Sequence, residues 1–160
     1  MSKKLLYLIV GIMTVMACEK DDFCTENPVT PKLILRFYDD ANPQNVKAVQ
    51  RLSIIGQGIT DSLFTNQNID SISIPLNSAS SSTTYVFKMN DGNGSTVTNQ
   101  VETLTINYDI SDTFVSRSCG FKANFKNVVL TGSGNWIKNI TPINTSSLDD
   151  QTQAHVQIFH

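Results

Sequence analysis

From Lys32 onward, apolar side chains recur at almost every second position, and no window sustains the spacing of a helical stripe. A period of two places successive side chains on opposite faces of an extended backbone, so the chain is confined to β architectures. Leu33, Leu35 and Phe37 alternate with Ile34, Arg36 and Tyr38, and Ile72, Ile74 and Leu76 alternate with serine and proline. Tyr85, Phe87 and Met89 share a face, as do Leu104, Ile106, Tyr108 and Ile110. Phe121, Ala123 and Phe125 repeat the pattern before Val128 and Leu130, and Val156 and Ile158 close it. The nearest approach to a helix is Val46–Leu52, where the spacing of Val49 and Leu52 suits either period.

Turn-forming residues separate these runs: Asp39-Asp40-Ala41-Asn42-Pro43, Gly56-Gln57-Gly58, Asp91-Gly92-Asn93-Gly94 and Gly132-Ser133-Gly134-Asn135. Short strands spaced at about 8–15 residues predict an all-β fold, an antiparallel β-sandwich of immunoglobulin-like or Greek-key type with about eight to nine strands. The immunoglobulin order of cysteine, tryptophan, cysteine is absent, because Trp136 follows both Cys24 and Cys119. Strand topology therefore stays open.

The first 22 residues describe an address. Lys3 and Lys4 precede an uncharged run from Leu5 to Ala17, which closes on Val15-Met16-Ala17-Cys18. A basic head, an apolar centre and a small residue at the cut form the layout of a secretory signal peptide. Thirteen helical residues would span only about 20 Å, short of the ~30 Å hydrocarbon core that a membrane-spanning helix must cross. The cysteine directly after the small residue resembles the lipobox of bacterial lipoproteins, which implies that Cys18 is lipidated and heads the mature chain. Several acyl chains, at about 0.8 kcal/mol per buried methylene, would anchor it stably. Glu19-Lys20-Asp21-Asp22 resembles the export signal of surface lipoproteins of the Bacteroidota. The expected organisation is a signal peptide over 1–17, a lipidated tether over 18–31 and a β-sandwich over 32–160. The expected location is the outer membrane, in its periplasmic or surface-exposed leaflet.

Removing residues 1–17 leaves 143 residues, one domain's worth of chain, with ten basic against fourteen acidic side chains and a net charge of −4. That balance argues against nucleic acid, whose phosphates demand a basic stripe. With Cys18 assigned to lipid, Cys24 and Cys119 remain in a compartment where disulfides persist. Pairing them would close a ~95-residue loop, worth up to about 4.5 kcal/mol in the chain-entropy model. The alternative is two unrelated buried thiols. A zinc site would need further ligands nearby in sequence, and there are none.

Several phrases in order resemble an uncharacterised family of Bacteroidota lipoproteins, a domain of unknown function. They are Thr30-Pro31-Lys32-Leu33, Arg36-Phe37-Tyr38-Asp39, Asp70-Ser71-Ile72 with Pro75-Leu76, and Ser116-Arg117-Ser118-Cys119-Gly120-Phe121-Lys122. Asn135-Trp136-Ile137 and the stretch from Ala154 to His160 complete the set. The resemblance implies an all-β envelope lipoprotein and brings no activity with it.

Catalytic chemistry finds little to work with. A hydrolytic triad needs a histidine, and only His155 and His160 exist, both expected in the last strand with His155 turned away from the core side of Val156. No Gly-x-Ser-x-Gly elbow occurs. Asp39, Asp40, Asp109 and Asp112 could supply the paired carboxylates of a glycosidase, but acids at turns are commonplace. Asp91, Asn93, Ser95 and Glu102 fall on a calcium-loop template whose glycine is replaced by Thr96, so a hairpin turn is the better reading. Trp136 is either a packed core residue or a ring exposed for stacking on a sugar. Asp61-Ser62-Leu63 and Asp70-Ser71-Ile72 also resemble acceptor triplets for O-linked glycans in this phylum. These residues lead to the expectation of a non-catalytic envelope lipoprotein that binds or scaffolds a protein, with no cofactor and no metal. The alternative is a surface glycan-binding module using Trp136.

Overall fold

The computed structural model describes residues 23–25, 29–92 and 99–160. The expected signal peptide, Cys18, and Asn93 and Ser95 of the calcium template lie outside the described residues. The chain divides into two compact units, Thr30–Thr113 with Ala123–His160, and Met1–Val29 with Phe114–Lys122.

Nine strands are formed among the described residues: β1 (Leu33–Tyr38), β2 (Val49–Gly56), β3 (Ser62–Ile69), β4 (Ser71–Ile74), β5 (Ser82–Met89), β6 (Gln100–Ser116), β7 (Gly120–Gly132), β8 (Asn139–Pro142) and β9 (Val156–Phe159). They build a four-stranded sheet in the order β4-β1-β9-β8 and a five-stranded sheet in the order β3-β2-β5-β6-β7. The all-β sandwich expected from the alternating pattern is the fold observed. The stretch around Val46–Leu52 is extended, with Val46 bridging Tyr38 before β2 begins.

One pairing departs from a purely antiparallel sandwich. β1 and β9 run parallel, with Leu35 opposite Val156 and Phe37 opposite Ile158. Parallel neighbours cannot be joined by a tight hairpin, and here the connection between them is nearly the whole domain. The switch between sheets falls at Asp70, where β3 ends and β4 begins, and its carbonyl accepts a hydrogen bond from Phe37 N–H at 2.8 Å.

The alternation seen in sequence becomes the core. Leu33, Leu35 and Phe37 of β1, Ile72 and Ile74 of β4, and Val156 and Ile158 of β9 are buried from one sheet. Leu52 and Ile54, Tyr85 and Phe87, Leu104, Ile106 and Tyr108, and Phe125 are buried from the other. Each such aliphatic or phenyl side chain contributes about 1.5–3 kcal/mol by leaving water. The tyrosine hydroxyls are satisfied at the margin, Tyr85 donating to Pro75 O at 2.6 Å and Tyr108 to Asn77 O at 2.9 Å.

The sheet edges are short, irregular or partly covered. β4 and β8 have four residues each, and β8 ends on Pro142. β3 pairs with β2 through repeated register shifts, with Arg51 and Asn66 in left-handed backbone conformations (φ 46° and 50°). β7 is met by the segment 145–148, through Val128 N–H to Thr145 O at 2.9 Å and Leu148 N–H to Phe125 O at 3.1 Å. Bulges, brevity and cover are the devices by which sandwiches blunt strand addition.

Candidate functional site

In the sandwich unit, the loop Gly132–Ile137 wraps around one carboxylate. Glu102 sits on β6 two residues before Leu104, in the same inward-facing row as Leu104, Ile106 and Tyr108, and is fully buried. Its Oε1 accepts from Ser133 Oγ at 2.7 Å and Gly134 N–H at 2.8 Å. Its Oε2 accepts from the N–H groups of Asn135 at 2.7 Å, Trp136 at 3.2 Å and Ile137 at 3.4 Å. Gly134 adopts φ 78°, the left-handed conformation that lets successive N–H groups converge on an anion. Burial alone would raise the Glu102 pKa, but the donors from Ser133, Gly134, Asn135 and Ile137 outweigh it and hold the group below its ordinary value. The carboxylate is ionised and its lone pairs are taken up inside the fold. It acts as a clamp that ties the loop to β6.

The clamped loop sets Trp136. The indole is only 3% exposed and lies against Phe37 (ring centroids 6.5 Å apart) and edge-on to His160 (5.6 Å). It is packed as a core residue and not presented as an open sugar platform. Part of it lines a cavity of about 300 Å³ whose other walls come from Lys47, Ala48, Gln50, Met89, Asn90, Gln100, Lys138 and His160. The walls combine an apolar floor with amides and two lysines, and carry no carboxylate. Lys47 Nζ is held by Asp39 at 2.9 Å and by His160 O at 2.8 Å. Lys47 and Asn42 also hold the Asp39 carboxyl below its usual range.

The two histidines do not behave as the alternation suggested. His155 was expected to face away from the core, yet it is buried, lies just before β9, and its Nδ1 accepts from Ile34 N–H at 2.9 Å. β1 needs an acceptor there, since its parallel pairing with β9 begins only at Leu35. Burial lowers the His155 pKa, with Asp150 opposing, so the ring is neutral and serves as an acceptor. His160 lies beyond β9 and is partly buried against Trp136 and Phe37, and burial again lowers its pKa.

The other acids are dispersed. Asp39 follows β1, while Asp109 and Asp112 stand exposed on β6, and Asp109 accepts from Asn127 Nδ2 at 2.8 Å. Of the calcium template, Asp91 accepts from Asn99 Nδ2 at 3.2 Å and Glu102 is committed to the loop clamp. Among the described residues no cluster of three or more metal-ligating side chains occurs.

In the second unit, Cys24 and Cys119 are joined as a disulfide, with Cα atoms 4.7 Å apart across a sequence separation of 95. The hairpin tip between β6 and β7 turns through Gly120 (φ 72°), and Ser116 Oγ accepts from Cys119 N–H at 3.1 Å. Phe114 and Phe121 stack edge to face across this tip with centroids 5.3 Å apart.

The Glu102 clamp was missed in sequence, where Gly132-Ser133-Gly134-Asn135 reads as an ordinary turn. A signal was present: stepping back by two from Leu104 places an acid on a core-facing position. Residues 51–160 match the model of a family of unknown function (DUF6452), so the clamp, both histidines and Cys119 lie within the match while β1 and Cys24 precede it. No curated protein and no solved structure matches the chain.

Proposed function

The chain belongs to DUF6452, a family of unknown function, and we propose that it is a non-catalytic lipoprotein of the cell envelope whose sandwich binds or scaffolds another protein. The observation that carries this reading is the Cys24–Cys119 disulfide. Such bridges persist outside the reducing cytosol, and this one begins six residues after the cysteine that resembles a lipidation site. In this reading Cys18 is the lipid anchor in the outer membrane, in its periplasmic or surface-exposed leaflet. The internal use of Glu102, His155 and Asp39 supports a binding role, because each is engaged in holding the fold. The blunted edges favour a partner that meets the faces and loops over one that adds a strand.

A second reading, a surface glycan-binding module, is favoured by the cavity beside Trp136, whose amides and lysines suit hydroxyl and anionic groups of a sugar. The indole itself would form part of the wall and not a stacking platform.

Palmitate labelling tests the anchor: Cys18→Ala should lose label and leave an uncleaved or soluble protein, and label that persists overturns the assignment. Photo-crosslinking residues placed at Gln50 and Asn90 in intact cells separate the two binding readings. Capture of one envelope protein supports the first, and capture of polysaccharide alone replaces it with the second.

A further inference from the structure

Among the described residues of the unit that holds the disulfide, three phenylalanines are exposed. Phe23 is 80% exposed, Phe114 57% and Phe121 68%. Phe23 adjoins Cys24, which is bonded to Cys119, and Phe121 follows two residues later. Phe23 thus adjoins the covalent bridge along the chain, and Phe114 and Phe121, both largely exposed, contact each other. Single exposed apolar side chains need no explanation, but large exposed rings paired on a hairpin, with a third beside its disulfide in sequence, mark an interaction surface. The hairpin stretch 114–122 carries Arg117 and Lys122 and no acid, against a net charge of −2 for the whole chain.

We infer that this aromatic tip is a membrane-contacting surface, with Phe23, Phe114 and Phe121 entering the headgroup–acyl boundary of the bilayer. The occupant follows from chain length and chemistry. Phe23 is five residues beyond Cys18, so a fully extended connection reaches at most about 18 Å. If Cys18 is lipidated, as the proposed function holds, the rings lie within reach of the lipid surface. Rings at that boundary with basic side chains beside them are how surface-seated proteins gain apolar burial and headgroup contacts together. The acids of Glu19-Lys20-Asp21-Asp22 offset the basic pair, so the rings and not the charge carry the contact. The disulfide makes the tip firm, which spares the ordering cost of a loose segment.

The test uses the full chain, processed in cells and reconstituted into vesicles containing lipids brominated near the headgroup. Phe121→Trp and, separately, Phe114→Trp place a reporter in the tip, while Leu63→Trp places one on exposed β3. Wild type, with Trp136 alone, gives the background. Bromolipid quenching of the added emission should be about threefold or more greater at 121 and 114 than at 63. Equal quenching at all three positions overturns the inference, as does quenching at 63 alone. Two tip positions guard against one variant that fails to fold. The anchor is read separately in the same preparation. Palmitate on Cys18 with unquenched tip reporters leaves the lipoprotein reading standing and removes this inference. Quenched reporters without palmitate do the reverse.

Discussion

The Glu102 clamp gives the sharpest test of how this fold is held. In Glu102→Gln, the carbonyl oxygen can keep the Oε2 position and its three N–H donors, leaving the amide NH2 where Oε1 stood. There it faces Gly134 N–H and Ser133 O–H, two donors. Ser133 cannot simply reverse, because its Oγ already accepts from Thr103 N–H at 3.1 Å and Asn135 Nδ2 at 3.2 Å. Two stranded donors cost about 1–3 kcal/mol each. Relief of carboxylate desolvation returns part of this, but the lowered pKa means the hydrogen bonds already outweigh desolvation. The net loss is about 2–4 kcal/mol, and Glu102→Leu, which strands all five donors, loses more. Urea unfolding at pH 7, with a slope of about 1–3 kcal/mol per molar, should move the midpoint of Glu102→Gln down by about 1–2 M. The effect has a pH signature. The folded pKa lies below the unfolded value, so the unfolded chain binds more protons at acid pH. Stabilisation is full above the ordinary glutamate value of 4.5 and is lost as pH falls through the lower folded value. The gap between wild type and Glu102→Gln should narrow below about pH 4.5. A gap that stays constant from pH 7 to pH 3, or a Leu variant as stable as the Gln variant, refutes the reasoning.

Gly132→Ala would place a Cβ 3.1 Å from Glu102 Oε1 and 3.5 Å from Ile140 Cδ1, costing about 1–2 kcal/mol by thermal denaturation with the same acid signature. His155→Ala should cost about 1–3 kcal/mol by leaving Ile34 N–H without its acceptor, whereas His155→Asn, which offers an oxygen, should recover part of it. His155 has a depressed folded pKa, so its contribution is full above the ordinary histidine value of 6.5 and fades as pH falls below it; unfolding curves of His155→Asn should lack that component. Cys119→Ser should lower stability by about 2–4 kcal/mol in chemical unfolding, with reductant lowering wild type alike and leaving the variant unmoved.

Period two made the sandwich legible, because burial on one face of a strand writes itself into every second residue. Leu33, Leu35 and Phe37, or Leu104, Ile106 and Tyr108, are read directly as core. The pairing of β1 with β9 was not legible, since the pattern records which face is buried and not which strand lies beside it. The Cys24–Cys119 bridge was legible from the arithmetic of three cysteines with one assigned elsewhere. His155 was misplaced because it precedes β9 and escapes its alternation, and its burial is decided by the Ile34 N–H it must satisfy. Glu102 escaped because its partners lie 31–35 residues away and are mostly backbone groups, which carry no residue-specific mark.

The parallel pairing of β1 with β9 also sets an order of events. β1 lies between β4 and β9, and its neighbour on one side is four residues at positions 156–159. Until those residues pair, the four-stranded sheet lacks its centre, and Leu35 and Phe37 have no covered row beside them. Folding of the sandwich therefore waits on the docking of β9, and closing so distant a pair is slow because loop entropy is spent before contacts repay it. A lesion confined to Val156–Phe159 would open this sheet as surely as one in the middle of the core.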